Sequence, residues 1–258
     1  MGRVWLADDE VLHRVVALKQ VLLMGLEDVA MRTAAWACAL NEARATARVN
    51  HVGVVRIYDL VEENLCPWIV MELLSGQTLQ QVLNAAGPLP VGPVTRIGLC
   101  LLDVLEAAHR AGIVHRDVKP GNVHLCGGGR VVLADFGIAC TTNDVTSETG
   151  EFIGSLAYVS PERLNGGAFG PASDLFSLGA TLFTAVEGRA PFDRGSVPAT
   201  LAAVEDTPTF LAAGPLRWVI EGLLAKDPER RMSANQAHAA LRDIQRRGSQ
   251  PQPAEAPQ

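Results

Sequence analysis

The spacing of apolar and polar positions divides the chain into a short β-rich front and a long helical remainder. Alternation over residues 1–7 and again over 14–21 predicts two strands that show alternate side chains to opposite faces, with a turn through Asp8-Asp9-Glu10. From about 27 to 49 the chain is rich in Ala, Leu, Arg and Glu with no internal Gly or Pro, which predicts one long helix. Two more strands are predicted near 54–61 and 68–73. Beyond Ser75-Gly76 the period becomes helical, over 79–86 and then 93–111, where Gly112 is a natural stop. Short strands at 123–125 and 130–133 flank the turn Gly127-Gly128-Gly129. The last helix fades by about Arg247, and the Pro-, Gln- and Ala-rich stretch 248–258 is expected to be disordered.

Composition narrows the function classes. A chain of 258 residues has room for one large domain or two lobes sharing a core. Its net charge of −6, with no dense basic tract, argues against nucleic acid as the main partner, because phosphate-backbone binding needs clustered Lys and Arg. The five cysteines lack metal-ligand spacing, and their odd number argues against a disulfide framework. No signal peptide opens the chain and no apolar run is long enough for a membrane span. The expectation is a soluble, cytoplasmic polypeptide.

The chemistry concentrates in His115-Arg116-Asp117-Val118-Lys119-Pro120-Gly121-Asn122, followed by Asp135-Phe136-Gly137. An Asp, a Lys and an Asn at this spacing, with a second Asp beyond a short hairpin, supply a proton acceptor, a charge neutraliser and hard oxygen ligands of the kind Mg²⁺ prefers. These motifs resemble those of the bacterial branch of the eukaryotic-type serine/threonine protein kinases. The resemblance covers residues 2 to about 247 and implies an α+β, two-lobed kinase fold. Residues 1–73 would form a β-rich N-lobe with one long helix, and 74–247 a larger helical C-lobe.

The resemblance also implies roles. Asp117 would orient the attacking hydroxyl and Lys119 would stabilise charge on the transferring phosphoryl, while Asn122 and Asp135 would hold Mg²⁺ or Mn²⁺. In Val16-Ala17-Leu18-Lys19, the lysine would hold the α- and β-phosphates of ATP and pair with Glu42 on the first helix; Ala17 is placed among the nucleotide contacts. Two of the chain's three lysines thus fall where the kinase motifs require one. Met71 matches the gatekeeper, the backbones of Glu72 and Leu74 would meet the adenine edge, and His124 would form the floor of that pocket. Phe136, Gly137, the Glu162–Arg231 pair and Asp174 match structural positions of the family, Glu162 closing the segment Ser160-Pro161-Glu162. Arg116, directly before Asp117, implies regulation by a phosphorylated loop, with Thr149 and then Ser147 as the expected sites. The partners implied are protein substrates bearing Ser or Thr, together with a dimer that would allow trans-autophosphorylation.

One departure stands out. Gly2 and Val4 match the last glycine and the valine of the family's glycine-rich loop, but its first two glycines and the strand before them have no counterpart. Met1 stands where a methionine is common among bacterial relatives, so about 10–25 upstream residues are expected to complete the strand and loop. ATP binding is expected to be weak without them. The alternative reading is a pseudokinase, or a truncated kinase, that acts as a binding module.

Overall fold

The computed structural model of the chain describes residues 3–20, 29–63, 66–136, 155–167 and 170–248. Strand β1 (Arg3–Asp9) pairs with β2 (Arg14–Gln20), and β3 (Ile57–Glu63) with β4 (Cys66–Glu72), giving an antiparallel sheet of order β1-β2-β4-β3. The register sets Ala17 opposite Met71 and Lys19 opposite Ile69. Opposed residues, and residues two apart, share a face, so these four side chains lie on one side of the sheet. Helix α1 (Val29–Arg48) packs on that side, where Ala39 and Ala43 meet Ile69 with Ile57 and Leu60 behind it. Both faces of β1 are largely open: Val4, Trp5 and Leu6 are each at least half exposed.

The expected strand at 54–61 begins only at Ile57. Val54 and Val55 are buried, but their segment is a connector: Leu133 N–H donates to Gly53 O at 2.8 Å, and Val54 bridges Leu133. Gly53 is required there, since a Cβ would lie 2.5 Å from Val104 Cγ2 and 3.0 Å from the Val131 carbonyl oxygen. An apolar run shows burial but not where its backbone hydrogen bonds go.

The helical lobe begins at β5 (Gln77–Thr78) and α2 (Leu79–Ala86). A reciprocal cap starts this helix: Thr78 Oγ1 accepts from Gln81 N–H at 3.1 Å, while Thr78 N–H donates to Gln81 Oε1 at 2.8 Å. Helix α3 (Val91–Arg110) starts two residues ahead of Pro93, which is tolerated because first-turn N–H groups have no helical partner. Strands β6 (Val123–Leu125) and β7 (Val131–Leu133) pair as a hairpin, with β5 on the outer side of β6. Then follow α4 (Pro161–Leu164), α5 (Pro171–Glu187), α6 (Val197–Ala203), α7 (Arg217–Leu223) and α8 (Ala234–Gly248).

Helix α5 is buried on all sides from Ser173 to Val186. Its core hydroxyls are satisfied within the helix: Ser177, Thr181 and Thr184 each donate to the carbonyl four residues back, at 2.8–3.1 Å. It ends at Gly188, whose φ of +74° suits a glycine C-cap. Among the described residues no helix is long and apolar enough to cross a membrane. Cys100 and Cys126 carry free thiols, Cys66 accepts from Gln20 Nε2 at 3.5 Å, and Cys38 on α1 is disulfide-bonded, a bridge that the odd cysteine count gave no reason to expect.

Candidate active site

One ammonium group reaches both lobes. Lys19 Nζ lies 2.6 Å from Glu42 Oε1 on α1 and 2.8 Å from Asp135 Oδ1, beyond β7. The strand register points Lys19 at α1, and the loop after β7 brings Asp135 up from below. Burial opposes charge on Lys19, but the two carboxylates outweigh it and raise its pKa. Burial likewise opposes charge on Asp135, where Lys19 wins and the carboxyl sits below its ordinary value. At Glu42 burial prevails over the shared lysine, and its pKa is raised. One cation therefore faces two carboxylates, each of which burial alone would push towards the neutral form.

The loop Arg116–Asn122 forms a second constellation. Asp117 Oδ2 is 2.8 Å from Lys119 Nζ and accepts from Asn122 Nδ2 at 2.9 Å; the same amide also donates to the Asp117 carbonyl at 2.7 Å. Lys119 Nζ further donates to Ser155 Oγ at 2.9 Å, so the far end of the intervening segment returns to the loop. A 3-10 turn over Pro120–Asn122 sets the spacing, and burial of Asn122 to 8 % exposure fixes its amide.

Backbone contacts from below hold this loop. Asp174, fully buried at the start of α5, accepts from His115 N–H and Arg116 N–H, both at 2.8 Å, and lies 2.8 Å from His109 Nε2. Arg116 has φ +72° and Asp135 has φ +58°, left-handed values that cost a non-glycine residue about 1–3 kcal/mol and persist only where the surroundings over-determine them. His115 supplies one such restraint. Its Nδ1 accepts from Asp117 N–H at 3.3 Å, its Nε2 donates to the Ala134 carbonyl at 3.1 Å, and its ring lies 4.5 Å from that of Phe136. Burial lowers its pKa despite the neighbouring aspartates, so the neutral tautomer that both bonds require is favoured.

The structure thus brings together Lys19, Glu42, Asp117, Lys119, Asn122 and Asp135, with Phe136 buried behind them. Met71 and Leu74 pack against Val132 and Ala134, and His124 sits partly buried on β6 opposite Thr78 and Val132. The Glu72 N–H is committed to the Arg56 carbonyl at 2.8 Å, so any contact from Glu72 to an adenine must come through its carbonyl oxygen. Val4 lies opposite Lys19 in the sheet and is 60 % exposed. Glu162 and Arg231 form a two-point pair at 2.8 and 2.9 Å. Gly2, Gly137, Ser147, Thr149 and residues 249–258 lie outside the described residues.

Sequence reasoning passed over three contributors. His115 was visible in the motif but was given no role. Arg130 donates to both carboxylate oxygens of Glu72 and, at 2.8 Å, to the Val52 carbonyl. Arg163 donates to the Arg116 carbonyl. Neither arginine has a local signal, because each meets its partner across 47 to 78 residues of chain.

A family model described as the protein kinase domain matches residues 1–241. Over 272 aligned positions the chain is 34% identical to serine/threonine-protein kinase PknA of Mycobacterium tuberculosis, covering 100% of this chain and 61% of that protein. It is 35% identical to serine/threonine-protein kinases drp72 of Corynebacterium efficiens, with coverage of 98% and 50%. Against serine/threonine-protein kinase PknL of M. tuberculosis it is 43% identical over 153 residues, 58% of this chain and 38% of that one. The chain therefore spans between 38% and 61% of the length of these relatives. With a lysine bridging the lobes, an Asp-Lys-Asn loop below it and a family match over nearly its whole length, the chain belongs to the protein kinase family.

Proposed function

We propose that this chain transfers the γ-phosphoryl group of ATP to Ser or Thr hydroxyls of protein substrates. The observation that carries the reading is the placing of Lys19 between Glu42 and Asp135, with the Asp117–Lys119–Asn122 group beside it. The donor set suits Mg²⁺ or Mn²⁺. Asn122 spends its amide nitrogen on Asp117, leaving the amide oxygen for a cation. Asp135 gives one oxygen to Lys19, and its side chain is 46 % exposed, leaving the other accessible. Among the described residues no cluster of three or more His, Cys, Asp or Glu could cage a metal alone. An ion at Asn122 and Asp135 would be bound through one or two protein oxygens plus substrate phosphates.

Bound Mg-ATP would supply the electrophilic phosphorus and the charge neutralisation that transfer requires. The residues of the chain do the rest. Lys19 offers an ammonium to nucleotide phosphates and is kept charged and aimed by Glu42. Asp117 accepts a hydrogen bond from the attacking hydroxyl and takes its proton. Lys119, already shared by Asp117 and Ser155, stabilises negative charge as it develops beside them. Ala17, Met71, Leu74 and His124 would line the adenine side, with Val4 and Gly2 over the phosphates. We place the reaction in the cytoplasm, where ATP is held, with residues 1–73 and 74–247 as the working lobes. Phosphorylation of Thr149 or Ser147 by a second copy, read by Arg116, would regulate it.

Radiolabelled ATP with a generic basic protein acceptor tests the reading. Transfer should require Mg²⁺ or Mn²⁺, disappear in Asp135→Asn, and fall about 10²–10⁴-fold in Asp117→Asn with nucleotide binding retained. Transfer that survives both substitutions at the parent rate would overturn the assignment. ATP binding with no transfer under any condition would favour the binding module instead.

A further inference from the structure

We propose that Arg163 is a positioning residue for Asp117, acting through the carbonyl of Arg116; the catalytic half of this statement rests on the phosphotransfer reading above.

The argument starts from the two peptide planes around Arg116. Its φ of +72° is unfavourable for a residue with a side chain, so both planes need external restraint. The plane before it is fixed where Arg116 N–H donates to Asp174 Oδ1 at 2.8 Å. The plane after it carries the Arg116 carbonyl and the Asp117 N–H, and it is held at both ends. Asp117 N–H donates to His115 Nδ1, and Arg163 Nη1 donates to the carbonyl oxygen. That plane leads directly into Cα of Asp117. Its tilt sets where the carboxylate stands relative to Lys119 and Asn122, which hold Oδ2 at 2.8 and 2.9 Å.

Arg163 is itself well anchored for this task. It sits in α4, whose start at Pro161 is buried, and its N–H donates to the Ser160 carbonyl at 3.1 Å. The neighbouring Glu162 is committed to Arg231 and Ser173, so α4 is pinned to the lobe independently of Arg163. Its guanidinium is attracted by Asp117 and Asp174 and repelled by Arg116. A planar guanidinium gives a charged, directional donor that a lysine ammonium reproduces only as a point charge. The contact therefore ties α4 to the peptide beside the proposed base. A simple strut between α4 and the lobe would have no reason to end on the one strained residue before Asp117.

The test compares the parent with Arg163→Met and Arg163→Lys. Hydrogen exchange is followed over residues 113–118 without nucleotide, and kcat and KM for ATP are measured with Mg²⁺ and a basic protein acceptor. In Arg163→Met, exchange of this stretch should rise about tenfold or more while α3 and α5 exchange as in the parent, because one local restraint is lost rather than the fold. The kcat should fall about ten- to a hundredfold, the cost of a base misplaced by a fraction of an ångström to an ångström, with KM for ATP within about threefold. Arg163→Lys should be intermediate on both scales. Parent-like exchange and kcat in the Met variant overturn the proposal. So does a loss of kcat accompanied by equal acceleration through α4 and α5, which is the signature of a strut. If the Met variant does not fold, the Lys variant decides by the same split: lowered kcat with unchanged KM supports the proposal, and a parent kcat overturns it. A parent that transfers no phosphate rejects the phosphotransfer reading, while the exchange comparison alone still decides whether Arg163 holds the loop.

Discussion

The upper and lower halves of the candidate active site are held by different physics. Around Lys19 the apolar support among the described residues is small: Ala39, Ala43 and Ile69 form a separate cluster, with Ile57 and Leu60 packed against it. Around Asp117 the support is the main core, in which Leu101, Leu102, Phe176, Leu178 and Phe183 are wholly buried. The lysine is aimed by charge, and the aspartate by backbone hydrogen bonds to a helix that packing holds rigid. Substitutions in the upper half should therefore change activity with little effect on stability, whereas substitutions below should change both.

The largest effect is expected at Asp174. Replacing it with Ala leaves His115 N–H, Arg116 N–H and His109 facing a void where a buried carboxylate stood. Losing a buried charged acceptor of several donors costs about 3–5 kcal/mol. Asp174→Ala should melt at least about 6 °C lower by calorimetry, at roughly 2–4 °C per kcal/mol for a domain of this size. It should also lose most of its transfer activity. A stable Asp174→Ala protein with parent kcat would show that the lower half does not depend on this anchor.

Next comes the Glu162–Arg231 pair, which carries a pH signature. Burial pushes the Glu162 carboxyl up, but hydrogen bonds from Arg231 and Ser173 bring it down to about 2 from an ordinary 4.5. A carboxyl lowered by folding contributes stability above its ordinary value and loses it as pH falls through its folded value. The contribution of about 2 kcal/mol, allowing for solvent screening of this partly exposed group, should thus vanish between about pH 5 and pH 2. Melting curves of Glu162→Gln should run below the parent at pH 7 and converge on it in acid. Parallel curves through that range would remove the pair from the account of lower-lobe stability. Arg231 also donates to the Ala172 and Ala225 carbonyls at 2.7 and 3.0 Å, so part of its anchoring should survive the substitution.

The contrast between the halves also explains what the sequence could tell. Asp117, Lys119, Asn122 and Asp135 stand in short motifs at fixed spacing, so their gathering at one place was legible before the fold was known. The limits of α2 were legible too, because Thr78 and Gln81 form a local cap. The connector at 54–56 was misread as strand because its valines are buried as a strand's would be, while its backbone bonds go elsewhere. The pairs Arg163–Arg116 and Arg130–Glu72 were illegible for a different reason. They join residues that are ordinary in their own neighbourhoods, and only the tertiary fold makes them adjacent.

Glu42 should separate activity from stability most cleanly. Its pKa is raised because burial outweighs Lys19, so its ionisation at neutral pH disfavours the folded state. For a carboxyl of this kind, the stability present at low pH is lost as pH rises through the ordinary value towards the folded one. The neutral isostere Glu42→Gln removes that loss and should melt at the parent temperature or slightly above it at pH 7. Transfer should nevertheless fall about ten- to a hundredfold, since Lys19 would be left to Asp135 alone. A melting point more than about 2 °C below the parent would mean that the ion pair stabilises the upper half after all.

The smallest effect is expected where the halves are joined, at Glu72 and Arg130. Arg130 meets both carboxylate oxygens of Glu72 at the end of β4 and also reaches the Val52 carbonyl after α1. One guanidinium therefore ties the end of β4, the connector and the β6–β7 hairpin. The Arg130 hydrogen bond is the leading cause of the lowered Glu72 carboxyl, with burial opposing it, so the pair strengthens above the ordinary carboxylate range and weakens in acid. The side chains are 28 % and 20 % exposed, and water screens much of their attraction. Two-point geometry favours the upper end of the range for such pairs, about 0.5–1 kcal/mol. A double-mutant cycle over Arg130→Met and Glu72→Gln should return a coupling of that size in melting free energy. If the pair steadies the Glu72 carbonyl that would face adenine, each single variant should also raise KM for ATP about two- to fivefold and leave kcat unchanged, the pattern of lost uniform binding. Zero coupling with an unchanged KM would leave the lobes joined by Lys19 and the connector, and would make the hinge pair a surface contact of no consequence for either half.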